Sequence, residues 1–257
     1  MNLRFRIILI GSKLTPRKIR NIIKRFTIFH LLAGGCWISG FKNIIIFFLN
    51  PKIKLSFKNK IYFLHEINTI ATNVPCLHSY DCILIPAIHI FSTPKISEGC
   101  IVEAGAFKGG STAKLSIVAK LTNRKLYVFD SFQGLPDNDE PEAHNPFLAG
   151  SFCGPLDEVK ENIRKYGDID SCIFVKGWFD DTLPSFNEKV LAVYTDVDLA
   201  SSTKTCIKYL WPLIVQNGWF FSEDPHIPIV LQLFMDRNYW LNEIKTVLEW
   251  SNASNHC

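Results

Sequence analysis

The sequence predicts an α/β protein built on a doubly wound, mostly parallel sheet, and three observations predict it. From about residue 80 to 225, short apolar runs alternate with longer stretches of helical period, the order that a parallel sheet with crossover helices requires. The apolar runs end in acids or glycines, and right-handed crossovers place all of those ends along one edge. Finally, "IVEAGAFKGGSTAKL" (101–115) passes from a strand-like run through glycines into a helix, the usual entry to a nucleotide-type crevice in such a sheet. At 257 residues the chain can bury a full core, as one main domain with an extension.

Taken in order, "DCILIPAIHIF" (81–91) reads as a helix packed before the first strand, "GCIVEAG" (99–105). "STAKLSIVAKL" (111–121) is the crossover helix, which Ser111 and Thr112 are suited to start. "KLYVFDSF" (125–132) is the second strand and "GPLDEVKENIRKYG" (154–167) a helix, with "CIFVKGWF" (172–179) as the third strand. "KVLAVYTDVD" (189–198) is the fourth, 202–218 a helix, and "WFFSED" (219–224) the fifth. Residues 230–250 read as one or two helices, and "SNASNHC" as an unstructured ending. The carboxyl edge then collects Glu103, Asp130, Gly177, Asp196, Asp198, Glu223 and Asp224.

Charge divides the chain. Residues 1–60 hold thirteen Lys and Arg and no acid, while the remaining fifteen of the 28 basic residues share the rest with all 24 acids. Such a split points to a basic segment with an anionic partner, for which a membrane surface is the candidate. The apolar stretch 26–49 supports peripheral contact, whereas Lys42 and the glycines at 34, 35 and 40 argue against a spanning helix. A lid or a poorly ordered leader is the competing reading. Nothing in the pattern asks for a nucleic acid. The eight cysteines are scattered, without a CxxC pair, and read as reduced thiols of a cytoplasmic protein.

Three ligands compete for the glycine loop. A dinucleotide site expects G-x-G-x-x-G, but these glycines fall as G-x-x-x-G-G. "GAFKGGST" has the frame of a triphosphate loop but Ser111 where that loop needs lysine. Glu103 places a negative charge near the ligand, which suits an ammonium or a sulfonium, and S-adenosylmethionine carries both. Asp130, ending the second strand, stands where an acid accepts from both ribose hydroxyls of any nucleoside cofactor.

A second acidic group comes from "YTDVDLASST" (194–203) and "FFSEDPH" (220–226). Asp196, Asp198, Glu223 and Asp224 end neighbouring strands, where a hard divalent cation such as Mg²⁺ relieves their repulsion. The alternative is that they are solvated strand ends or helix caps. A hydroxyl held by the metal beside the sulfonium would be placed for methyl transfer, with Asp196 or Asp198 as the proton acceptor.

In this order and spacing, "VEAGAFKGGSTAKL", "YVFDSFQGLP" (127–136), "VKGWFDDTLP" (175–184), "DVDLASSTK" (196–204) and "NGWFFSED" (217–224) resemble the macrocin-type O-methyltransferases, class I enzymes that methylate sugar hydroxyls on natural products. The resemblance covers about residues 95–225. It implies that Glu103, Gly105 and Gly109 line the methionine side of S-adenosylmethionine and that Asp130 holds the ribose. By the same resemblance Gly177 and Trp178 lie near the adenine, and Asp196, Glu223 and Asp224 hold Mg²⁺. The acceptor would be a hydroxyl of a sugar or another small molecule. Residues 1–65 are then an N-terminal extension and 66–257 the methyltransferase-like domain. Ala200 stands where the family usually has Tyr, Glu223 where it has Asp, and the short stretch after Asp224 predicts a sheet shortened at its C-terminal side. These departures leave a cofactor-binding relative without turnover as the alternative.

Overall fold

The computed structural model describes residues 6–9, 38–76, 81–94, 97–138, 140 and 147–246. Its centre is a sheet of strands β1 (Arg6–Leu9), β2 (Cys100–Ala104), β3 (Leu126–Asp130), β4 (Cys172–Lys176), β5 (Val190–Thr195) and β6 (Ile214–Ser222). They lie in the order β1-β6-β5-β2-β3-β4, and every pairing is parallel. The doubly wound α/β fold is thus as expected. The chain runs outward from β2 through β3 to β4, then returns to β5 on the other side of β2, so the strand order reverses between β2 and β5. Crevices for ligands form at such a reversal.

Alternating side chains feed two cores, as strands covered on both faces require. On one face Ile101, Leu126, Val128 and Tyr194 meet helices α1 (Ile38–Leu49), α2 (Phe57–Asn73), α3 (Asp81–Ser92), α4 (Gly110–Thr122) and α5 (Leu156–Tyr166). On the other, Val102, Phe129, Val193 and Phe220 meet α7 (Ala200–Leu210), α8 (Pro228–Met235) and α9 (Arg237–Asn242). A single turn, α6 (Phe179–Thr182), follows β4.

Three features differ from the reading of the sequence. The helix expected over 202–218 stops at Leu210, because Pro212 has no N–H to continue the ladder, and one 3₁₀ turn leads into β6 at Ile214. The register of β6 against β5 slips between Val190 and Ala192, which absorbs the "VQNG" segment at positive-φ Asn217. The flank of the last long strand, expected to be poorly protected, is covered by β1, with Arg6 opposite Trp219 and Leu9 opposite Ser222.

The segment before residue 66 also contributes to the core. Ser56 caps α2 by accepting from the Asn59 N–H at 3.1 Å, and this helix runs straight through residue 65. Phe47 of α1 and Phe63 of α2 are fully buried with Phe91 of α3, and the Phe63 and Phe91 rings meet edge-on at 5.3 Å. Among the described residues no helix is long and apolar enough to cross a membrane. Residues 1–5 and 10–37, which carry seven of the thirteen basic residues of 1–60, lie outside the described residues, as does the ending 247–257.

Since the Phe63 ring sits between three helices, Phe63→Ala should cost about 3–5 kcal/mol. Urea unfolding followed by tryptophan fluorescence measures it, and a loss under about 1 kcal/mol would mean that α2 is not part of the cooperative core.

Candidate active site

The crevice at the strand-order reversal depends on one close approach. The Asp196 N–H donates to the Ala104 carbonyl at 3.0 Å, closing the β2–β5 ladder at the last residue of β2 and one residue past β5. Gly105 (φ +89°) then passes so near that a Cβ on it would lie 2.0 Å from the Asp196 carbonyl oxygen. No side chain fits there, and the left-handed backbone favours glycine independently.

Asp130 fastens the other side of the loop. Its Oδ2 accepts from the Ala106 N–H and its Oδ1 from the Phe132 N–H, each at 2.6 Å. Burial lifts its carboxyl above the usual range, and these amides counter part of the rise. The Gly177 N–H donates to the Asp130 carbonyl at 3.0 Å, which brings the β4 end alongside. Together these elements wall a cavity of about 220 Å³ whose lining includes Gly105, Asp130, Gly177, Trp178, Asp196 and Asp198. Six of the expected site residues therefore meet around one space.

Glu103 and Gly109 do not line it. Gly109 is the left-handed N-cap of α4 and faces Val159. Glu103 is fully buried on the α4 face of β2. Neither of its carboxylate oxygens has a hydrogen-bond partner among the described residues; the Ser111 and Thr112 hydroxyls approach and only temper the effect of burial, which pushes its carboxyl up to about 8. At neutral pH this side chain is mostly protonated, so it does not present the negative charge that the sequence suggested.

The acids of the next two strands separate. Asp196, Asp198 and Asp224 each offer a carboxylate oxygen, and the three oxygens lie within 4.8 Å of one another. Asp224 is fully buried; its Oδ2 accepts from the Val197 N–H at 3.0 Å, and its Oδ1 has no partner among the described residues. Burial first, then Asp196 and Asp198, hold its carboxyl well above the ordinary range. Glu223, expected in this group, stands outside it: its Oε1 accepts from the buried Tyr194 hydroxyl at 2.9 Å. Asp198 takes the third place, turned inward by a positive φ of 60°.

Some of the lining was not anticipated. Pro75 and Cys76 arrive from the end of α2, Phe147 and Phe152 from the loop after β3, and Ser202 from the first turn of α7. Residues so far apart in sequence carry no local signal of convergence. Glu140, within a loop that reads as a solvated turn, accepts from the Ser201 N–H at 2.9 Å and so caps the start of α7.

A parallel sheet with a nucleoside-type crevice at its reversal is the fold of the class I methyltransferases. Two solved structures share it: the O-methyltransferase NovP, with a TM-score of 0.51 and 23% identity over 72% of each chain, and the calicheamicin methyltransferase CalS11, with a TM-score of 0.51 and 16% identity over 73% of this chain and 88% of that one. Residues 88–250 match the model of the macrocin O-methyltransferases (TylF), so the chain belongs to that family.

Among curated relatives, 8-demethyl-8-(2,3-dimethoxy-alpha-L-rhamnosyl)-tetracenomycin-C 4'-O-methyltransferase of Streptomyces olivaceus is 33% identical over 141 residues, 49% of this chain and 52% of that protein. Mycinamicin III 3''-O-methyltransferase of Micromonospora griseorubida is 30% identical over 143 residues, 51% and 56% of the two chains. The chain spans about half the length of the curated relatives it matches.

The state of Glu103 sets a pH dependence. Its carboxyl ionises near 4.5 when unfolded and near 8 in the fold, so between these values the native protein holds a proton that the unfolded chain has lost. Stability should therefore fall as pH rises through this window, by roughly 1 kcal/mol per pH unit from this group. Glu103→Gln should flatten the decline in urea midpoints measured from pH 5 to 8; an unchanged slope would assign the dependence elsewhere.

Proposed function

We propose that this protein transfers a methyl group from S-adenosylmethionine to a hydroxyl of a sugar or another small molecule, with Mg²⁺ at the site. The observation that carries the proposal is that Gly105, Asp130, Asp196 and Asp198 line one cavity, and that a carboxylate oxygen of buried Asp224 lies within 4.8 Å of those two aspartates' oxygens. The family and the named methyl acceptors of its members support the acceptor class.

The residues fit both groups. Gly105 lines the cavity with bare backbone, packed directly against the Asp196 carbonyl. Asp130 retains lone pairs beyond those taken by its two amides and is placed to accept from ribose hydroxyls. Gly177 and Trp178 would border the adenine, with Glu103 and Gly109 shaping the loop from behind. S-adenosylmethionine supplies an electrophilic methyl when bound. The Asp196, Asp198 and Asp224 donors are all carboxylate oxygens, which suit a hard cation. Mg²⁺ there would lower the pKa of a hydroxyl beside it.

The chain's own part is to orient, to keep the site dry and to hold the proton. Phe147, Phe152, Trp178 and Phe179 line the cavity and exclude water from a displacement in which opposite charges neutralise. Asp198 and Asp196, less buried than Asp224, are the groups placed to accept the hydroxyl proton. A peripheral contact of the basic leader with anionic lipid and a cytoplasmic setting complete the reading.

Calorimetric titration with S-adenosylhomocysteine tests it without an acceptor. Asp130→Ala should weaken binding at least tenfold while the thermal midpoint stays within a few degrees. Mg²⁺ added to the wild type should raise the thermal midpoint, and Asp224→Asn should remove that response. A folded wild type that binds no S-adenosylhomocysteine would overturn the reading.

A further inference from the structure

Cys76 lies just beyond α2, against the first turn of α4. A Cβ built on Gly110 would be 2.9 Å from the Cys76 Cβ and 3.2 Å from its Sγ. The sulfur therefore rests on the start of a 13-residue helix, where unpaired N–H groups and the helix dipole favour an anion.

Lys114, one turn further along α4, is fully buried, and its Nζ lies 3.7 Å from the Cys76 Sγ. This amine makes no ion pair and no oxygen accepts from it among the described residues. A buried ammonium needs a counter-charge, and the group placed to supply one is the Cys76 sulfur. Lysine and a helix N-terminus are two surroundings that favour a thiolate. Cys76 is also half-buried and lines the cavity, so small molecules reach it. Other cysteines stand in the opposite environment: burial pushes the Cys100 and Cys172 thiols up to about 12 and Cys206 higher still.

We propose that Cys76 is a nucleophilic thiolate, held by Lys114 and the start of α4, and that it is a site of exchange with small disulfides entering the cavity. The thiolate attacks one sulfur of the disulfide, a new S–S bond forms as the old one breaks, and the departing sulfur leaves as a thiolate. The disulfide is the oxidant and is consumed, so the exchange is balanced. The adduct occupies part of the cavity. This reactivity does not depend on the cofactor assigned above, and its test contains none.

The full chain is treated at pH 7 with dithiodipyridine, a small aromatic disulfide whose released thiopyridone absorbs light, and the modified residues are located by peptide mapping. Cys76 should react about tenfold faster than the exposed Cys153, since an ordinary cysteine is only a few per cent thiolate at this pH and a lowered pKa also lowers intrinsic nucleophilicity. Lys114→Met should slow Cys76 several-fold. Equal rates at Cys76 and Cys153 would overturn the proposal, and so would a folded Lys114→Met protein that reacts at the wild-type rate. If that variant does not fold, the wild-type rate against pH decides. An inflection well below about 8.5 supports the thiolate, and one at or above it overturns the proposal.

Discussion

The approach of Gly105 to the Asp196 carbonyl is the constraint from which the site follows. The two residues leave neighbouring parallel strands at the point where strand order reverses, and a ladder hydrogen bond from the Asp196 N–H to Ala104 holds them there. Because no Cβ intervenes, the glycine loop and the acidic loop share one floor. The Gly105 N–H donates to Phe129 on the far side, and Asp130 then ties down the loops that follow both β2 and β3. Backbone hydrogen bonding thus positions much of the cavity, and the Asp130 carboxylate completes that frame while also lining the space a ligand would fill.

The same edge gathers carboxyl groups, and the structure deals with each differently. Glu103 sits below the loop, where burial keeps its proton on. Asp130 is compensated by backbone amides. Glu223 turns away to the Tyr194 hydroxyl, which leaves three rather than four acids in the tight group. Asp224 is half compensated, with one oxygen bonded to a backbone N–H and the other facing no donor among the described residues. Whatever donates to that oxygen or places positive charge beside it also stabilises the fold, so ligation and stability are linked at this residue.

Much of this was legible in the sequence because it is local. The strand–glycine–helix run, the acid ending β3 and the acids ending β5 and β6 are each visible in a few residues, and right-handed crossovers place those ends along one edge. What could not be read depends on the third dimension. Glu103 and Gly105 are two residues apart, yet the pleat turns Glu103 toward α4 and away from the cavity. Glu223 and Asp224 are adjacent, but only the fold shows that Tyr194 takes one of them. Helix α2 crosses a boundary that charge alone suggested, since its lysine-rich start conceals the buried face of Phe63, Ile67 and Ile70. Cys76 and Lys114 meet only because α2 and α4 pack together.

The strand β1 has a consequence for how the molecule assembles. The pairing of Arg6 with Trp219 joins positions separated by nearly the whole chain, whereas β2 with β3 and β3 with β4 are linked by single crossovers. Closing the longest loop carries the largest entropic cost and is rewarded only once a partner edge exists. The interior of the sheet can therefore form first, with β6 as a temporary open margin and a template for foreign strands. Docking of residues 6–9 ends that exposure, so loop-closure entropy favours placing the first described strand after the interior of the sheet.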